Sequence, residues 1–229
     1  ALSRQTLVHS EYEVLLVDDG SPQPLAMDTQ DLPPSFRFRI LHKEHSGPAG
    51  ARQYGARSSK ADIILFTDDD CIPDPDWVQT MAKAVREHPH AMVGGSTRNG
   101  AVSNRQACVN QLILDLVYQH FNPPGQPASF FASNNIGCRR ADFIEIGGFD
   151  PDFSLPAAED RDLCDRWRKR GWPLIHVPEA GVEHRHFQTL AQFLRMYFRY
   201  GRGARILHNK RRSRGARGVR DDLGFHQII

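Results

Sequence analysis

Cysteine is scarce and scattered. The four, Cys71, Cys108, Cys138 and Cys164, lie 37, 30 and 26 residues apart, so none forms the close pair that a zinc knuckle or redox motif requires, and reduced thiols in a reducing compartment are expected. Long apolar runs are also missing. No stretch approaches the roughly 20 residues that span a bilayer, and no charged segment followed by an apolar one opens the sequence as an export signal would. A soluble, unexported chain is expected from that. There is no internal repeat and no long low-complexity tract. Nor is there an excess of one charge: 29 Lys and Arg stand against 27 Asp and Glu. Hydrophobic residues make up 40% and charged residues 24%, the balance of a folded domain rather than a disordered chain. The 229 residues suit one domain, or at most two small ones.

What charge there is falls unevenly. Gln188 to Ile229 hold ten basic and two acidic side chains, a balance of +8, which leaves the preceding 187 residues at −6. An acidic body argues against nucleic acid as a partner. The segment from Gln188 to about His208 reads as a basic amphipathic helix with Leu190, Phe193, Leu194, Tyr197 and Phe198 on its apolar side, and the tract after it is biased enough to be mobile. Two parts follow: residues 1–187, and residues 188–229. The stretch 188–220 could make peripheral contact with an anionic membrane surface, or simply be a solvated helix that packs on the body.

Within the body, EVLLVDD is a short apolar run stopped by Gly20, Ser21 and Pro22, as a strand buried on both faces would be. FRFRILH alternates like a strand nearer an edge. SGPAGARQYGARSSKA suits a helix packed closely on a sheet, and ADIILFTDDD is a second buried strand running into carboxylates. Asp76 to Glu87 has Trp77, Val78, Met81, Ala82 and Val85 on one helical face. Strand and helix in alternation predict an α/β fold with a parallel sheet and ligands at the carboxyl ends of its strands. Further on, AMVGGSTR and FFASNNIGCRR read as strands, Gln106–Phe121 and ADFIEIGG as helices, AAEDRDLCDRWRKRGW as a helix with acids in its first turn, and PLIHVPEAGVEH as a final strand.

Three consecutive aspartates, Asp68, Asp69 and Asp70, repel one another unless a cation or donors offset the charge. A divalent ion does so, and oxygen ligands of this kind suit Mg2+ or Mn2+ shared with substrate phosphates. The competing explanation is capping of the following helix. Asp18 and Asp19 end the earlier strand in the same way and can accept from a nucleobase or ribose, or can belong to an ordinary Asp-Gly-Ser turn. Glu159 and Asp160 supply a further acidic pair, suited either to general-base catalysis on an acceptor hydroxyl or to the N-terminal charge of a helix.

Taken in order, EVLLVDDGS, SGPAGARQYGA, ILFTDDDCIPDPDW, SNNIGCRRADFIEIGGFD, AAEDRDLCDRWRKRGW and VPEAGVEH resemble the family 2 glycosyltransferases, inverting enzymes of GT-A fold, over about Gln5 to His184. The resemblance implies transfer of a sugar from a nucleotide-diphosphate donor to a hydroxyl acceptor, saccharide or lipid-linked, as in cell-envelope polysaccharide synthesis. It implies Mg2+ or Mn2+ as cofactor and work in the cytoplasm or at the inner face of the cell membrane. By the same resemblance Asp18 and Asp19 fall on the base-contacting position, and Asp68-Asp69-Asp70 on the DXD motif, with Asp70 as metal ligand and Asp68 on the ribose or metal side. Asp160, with Glu159 beside it, falls on the catalytic base, Arg52 on a diphosphate contact, and Asn134 and Asn135 on the donor-sugar pocket. His184 falls where it could touch metal or diphosphate; His176 and His186 take no role. The family's opening strand, of the type VSVIIPTYN, has no match here, so a truncated chain lacking its first strand is expected. A QxxRW motif is also missing, which points to transfer of single sugars. A sugar-phosphate nucleotidylyltransferase, or a sugar-nucleotide-binding or membrane-surface module without activity, are the alternatives; no Gly-rich phosphate loop supports the first.

Overall fold

Both apolar runs that end in aspartates are strands, and both stop where the carboxylates begin. In the computed structural model, which describes residues 1–26, 30, 32–153 and 157–215, β1 spans Val14–Asp18 and pairs in parallel with β2, Phe38–His42. Gly20 turns the chain after β1 with φ of +83°, and a Cβ there would lie 2.8 Å from the backbone nitrogen of His45, so a side chain is excluded by sterics and by backbone conformation together. Helix α1, Gly47–Ser58, follows, then β3, Ile63–Thr67, the short β4, Cys71–Pro73, and α2, Trp77–Glu87. The second half continues with β5, Met92–Asn99, α3, Arg105–Phe121, β6, Asn135–Arg139, α4, Arg140–Glu145, α5, Glu159–Lys169, β7, Leu174–His184, and α6, Leu190–Ser213.

The larger sheet has the order β3-β6-β5-β7-β4, separate from the β1–β2 pair. β5 and β7 pair in parallel, while β6 is antiparallel to β3 and to β5, and β4 antiparallel to β7. Thus β3, β5 and β7 share one direction, as the alternating pattern predicts, with β6 and β4 reversed among them. Period-two alternation divides the strand side chains between two cores. Ile64, Phe66 and Met92 face a core with Phe131, Phe143, Phe149 and Trp167. Val93, Val177 and Val182 face Trp77, Met81 and Val85 of α2 on the other side. Trp167 has no exposed surface, and its indole N–H donates to the carbonyl of His90 at 2.8 Å; truncating such a residue costs about 3–5 kcal/mol.

The aspartates near α2 do not cap it. Its free amide at Val78 donates instead to the side chain of Gln5, and no aspartate side chain accepts at its N-cap. This removes helix capping as the reason for the triple aspartate.

Ion pairs cross the charge step at residue 188. Lys210 pairs with Asp150 and Asp152, Arg211 with Asp165, and Arg214 with Asp162. Gly203 of α6 packs so closely on Ala157 that a Cβ would approach its carbonyl oxygen to 2.5 Å. Residues 216–229, where the expected mobile tail continues, lie outside the described residues.

Candidate active site

The site is built where β3 ends, where β7 ends and where α5 begins. β4 runs antiparallel to β7 with Cys71 opposite His184, and just beyond that pair the N–H of Arg185 donates to the carbonyl of Asp70 at 2.8 Å. The backbone is still extended there, so the residues on either side of Arg185 present side chains to one face. Both are histidines. His184 Nε2 lies 3.2 Å from one Asp70 oxygen and His186 Nδ1 lies 2.8 Å from the other, with the rings stacked 5.3 Å apart. Burial raises the Asp70 carboxyl, but the two imidazoles outweigh it and hold the group well below the usual range.

One carboxylate oxygen and two imidazole nitrogens within 4.8 Å of one another can hold a metal ion. A mixed N and O donor set suits Mn2+ better than Mg2+, which prefers oxygen alone. Asp68, expected as a second ligand, is not in this group. It turns the other way, and its carboxylate accepts from Arg52 Nη2 at 2.5 Å. Asp69 is exposed and enters no hydrogen bond or ion pair among the described residues. The three stand in a turn, where the Cys71 amide donates to the Asp68 carbonyl at 3.1 Å, and their side chains leave it in different directions.

Arg52 stands on α1 and joins two ends of the site. Its other amino group faces Glu159 at 3.4 Å, its guanidinium lies 5.9 Å from the ring centre of Phe149, and its side chain is largely buried. Glu159 begins α5 behind Ala158, which holds a left-handed φ of +67°, a strained conformation for a residue with a Cβ. Burial first, and then the charge of Asp160, push the Glu159 carboxyl up to about 7 against the opposing pull of Arg52. Asp160 is also raised, mainly by burial, although the backbone N–H groups of Arg161 and Ser133 and the charge of Arg52 pull the other way; the Arg161 bond is 2.8 Å. The Tyr200 phenol of α6 is raised by desolvation and then by the charge of Asp160.

The two asparagines part company. Asn135 has no exposed surface. It accepts from the Trp77 indole at 2.8 Å and donates to the carbonyls of Ser96 and Ala180 at 2.9 Å each. Each side-chain polar atom is engaged in joining α2, β5 and β7, where the resemblance implied a contact to the donor sugar. Asn134 is buried against Cys71 and Thr97, and its side-chain oxygen has no partner among the described residues.

Asp18 and Asp19 serve their own loop. Asp18 accepts from the amides of Ser21 and Leu25 at 3.0 Å and faces His42. The bond from Leu25 is the largest of several that hold it well below the usual range. Asp19 accepts from Lys43 at 2.7 Å and from the amides of Ser46 and Gly47, which start α1. Asp19 thus fixes the helix from which, five residues on, Arg52 reaches Asp68.

His186 is the residue that sequence reasoning missed. Its signal was the His-x-His alternation at a strand end, which puts both rings on one face. A shallow cavity runs from the two histidines to Asn99, Asn110 and Gln111. A larger groove of about 490 Å³ between α2 and β7 contains none of these residues and has no part in this chemistry.

Residues 1–147 match the family model for glycosyl transferase family 2. The pre-mycofactocin glycosyltransferase of Mycobacterium tuberculosis is 30% identical over 199 residues, covering 83% of this chain and 41% of that protein. Validoxylamine A glucosyltransferase of Streptomyces hygroscopicus subsp. limoneus is 28% identical over 222 residues, covering 82% and 48%. The chain thus spans about half or less of these relatives' length. Among solved structures, the mannosyltransferase PcManGT of Pyrobaculum calidifontis, in complex with GDP-Man and Mn2+, superposes with a TM-score of 0.67 at 16% identity over 98% of this chain and 62% of that one. That likeness bears on the fold, which is GT-A as expected.

Proposed function

The chain belongs to glycosyl transferase family 2, and from that premise we propose that it carries the catalytic centre for inverting, non-processive transfer of a sugar from a nucleotide-diphosphate donor to a hydroxyl acceptor. The observation that carries this reading is the bridge made by Arg52, which draws Asp68 at the end of β3 and Glu159 at the start of α5 to one guanidinium. The turn that carries Asp68 and Asp70 and the helix that opens on the acid pair, some 90 residues apart in the chain, are joined there.

Asp70, His184 and His186 would hold a divalent ion, with Mn2+ favoured by the two imidazoles. When bound, such an ion supplies counter-charge for the departing nucleotide diphosphate. Arg52 would exchange part of its carboxylate bonding for phosphate oxygens, which a planar fork of donors can do. Asn134 would offer the donor sugar an unused acceptor, Asp68 and Asp69 would offer carboxylates to the donor's ribose, and the β1 end around Asp19 would take the base. Asp160 accepts the proton of the attacking hydroxyl. Its carboxyl, raised by burial, holds a proton more readily than an ordinary aspartate, as a general base must. Glu159 keeps Arg52 in place, since its own oxygen is committed to the guanidinium.

The test is Asp160→Asn assayed with Mn2+ against a panel of nucleotide sugars. Turnover is expected to fall about 100- to 10,000-fold, while donor binding, followed as thermal stabilisation, persists. Unchanged turnover removes the base assignment, and no stabilisation by any nucleotide sugar removes the reading as a whole.

A further inference from the structure

One face of α6 packs on nothing among the described residues. Phe193, Met196 and Tyr197 are turned toward the body, with Gly203, Ala204 and Leu207 buried further along, and the Tyr197 hydroxyl donates to Asn110 of α3 at 3.0 Å. The opposite arc carries Leu190, Leu194 and Phe198, which are 58%, 59% and 70% exposed. Rings and branched chains left this open in a row at helical spacing cost hydration free energy that the fold does not recover.

Beside that row, at the same spacing, stand Arg195, Arg199, Arg202 and Arg205, all exposed. The helix contains no acidic residue. Its ion pairs among the described residues are confined to the end, where Lys210 and Arg211 meet aspartates of the body. The four outward arginines therefore sit next to apolar side chains as uncompensated positive charge. A water-soluble acidic protein would answer the charge but gain little from three protruding apolar side chains. A bilayer with anionic headgroups answers both, because the apolar row enters the acyl boundary while the arginines stay among the phosphates.

We infer that the outward face of α6 docks on an anionic lipid bilayer. The same helix is tied to α5 through Arg211 and Asp165, and α5 opens on Glu159 and Asp160, so docking sets the membrane on the side of the molecule that holds the acid pair. That consequence deepens the proposed transfer by making the acceptor membrane-borne; the docking itself does not depend on it.

The experiment is flotation of the 229-residue chain with vesicles of phosphatidylcholine alone or phosphatidylcholine mixed with phosphatidylglycerol. The chain is expected to float with the mixed vesicles only, and raised salt should release it. Each single Arg→Gln change among the four should lower partitioning about fivefold, from about 1 kcal/mol per cation near an anionic surface. The double variant Leu194→Glu, Phe198→Glu should stay with the soluble fraction while its circular dichroism is unchanged. Vesicle-free hydrolysis of a nucleotide sugar reads the proposed transfer separately, so loss of one leaves the other standing. Absence of flotation with anionic vesicles, flotation of the double variant at the level of the parent, or a dimer in lipid-free solution that the double variant abolishes would each overturn the docking surface.

Discussion

Replacing Arg52 by Met removes a cation that touches both Asp68 and Glu159, and its cost should depend on pH. The Arg52 side chain is only 13% exposed and that of Glu159 only 7%, while Asp68 is 32% exposed. Breaking a fully buried pair costs about 3–5 kcal/mol because a charge is left uncompensated. With one partner a third exposed, we expect about 2–4 kcal/mol near pH 8. Glu159 can escape that cost by taking a proton. Its folded pKa of about 7 exceeds the unfolded value of 4.5, so its contribution to stability is fully present below pH 4.5 and is lost as pH rises through 7. Without Arg52 the folded value rises further, and the loss extends to higher pH. The variant should therefore lie close to the parent near pH 5.5 and well below it near pH 8. For a chain of this size the difference at pH 8 corresponds to a fall in Tm of roughly 5–15 °C. Thermal unfolding of parent and variant at both pH values measures it. Adding Glu159→Gln to Arg52→Met should recover part of the loss, since the uncompensated charge is then gone. An equal loss at both pH values, or no recovery in the double variant, would refute the assignment of Arg52 as the counter-ion of a buried carboxylate.

Two further expectations concern the residues that the structure reassigns. His186→Ala should weaken Mn2+ binding at least about tenfold, judged against the effect of losing even an outer-shell partner, and a titration of thermal stability with Mn2+ reads it; an unchanged midpoint would remove His186 from the ligand set. Asn135→Ala strands the Trp77 indole N–H and the carbonyls of Ser96 and Ala180, at about 1–3 kcal/mol for each buried group left unpaired. Urea unfolding should show that loss while the KM for donor stays put, and a raised KM with stability intact would return Asn135 to the pocket.

Much of the element order was legible because its signals are local. Apolar runs of five to seven residues stopped by Asp, Gly and Pro became β1 and β3, and the 3.6-residue spacing of Trp77, Val78, Met81 and Val85 became a buried face of α2. Both acid clusters lie at the strand and helix ends where they were expected. The antiparallel insertion of β6 was not legible, because strand direction is set by which partner supplies the hydrogen-bonding edge, and no residue of NIGCR encodes that. The ion pairs that cross residue 188 were not legible for a related reason: a net-charge step says nothing of whether Lys210 and Arg211 find Asp150 and Asp165.

The sequence by itself determined the supply of chemistry: carboxylates at the ends of apolar strands, a His-x-His pair after the last one, and an acid pair opening a helix. These depend on residue type and short spacing, which the chain carries without folding. The tertiary structure alone decided how that supply was divided. It gave Asp70 to the histidines and Asp68 to Arg52, spent Asn135 on the core, and left one face of α6 bare. Each of those outcomes depends on which groups meet across the fold, from the 16 positions between Arg52 and Asp68 to the 116 between Asp70 and His186, and distance along the chain does not constrain distance in space.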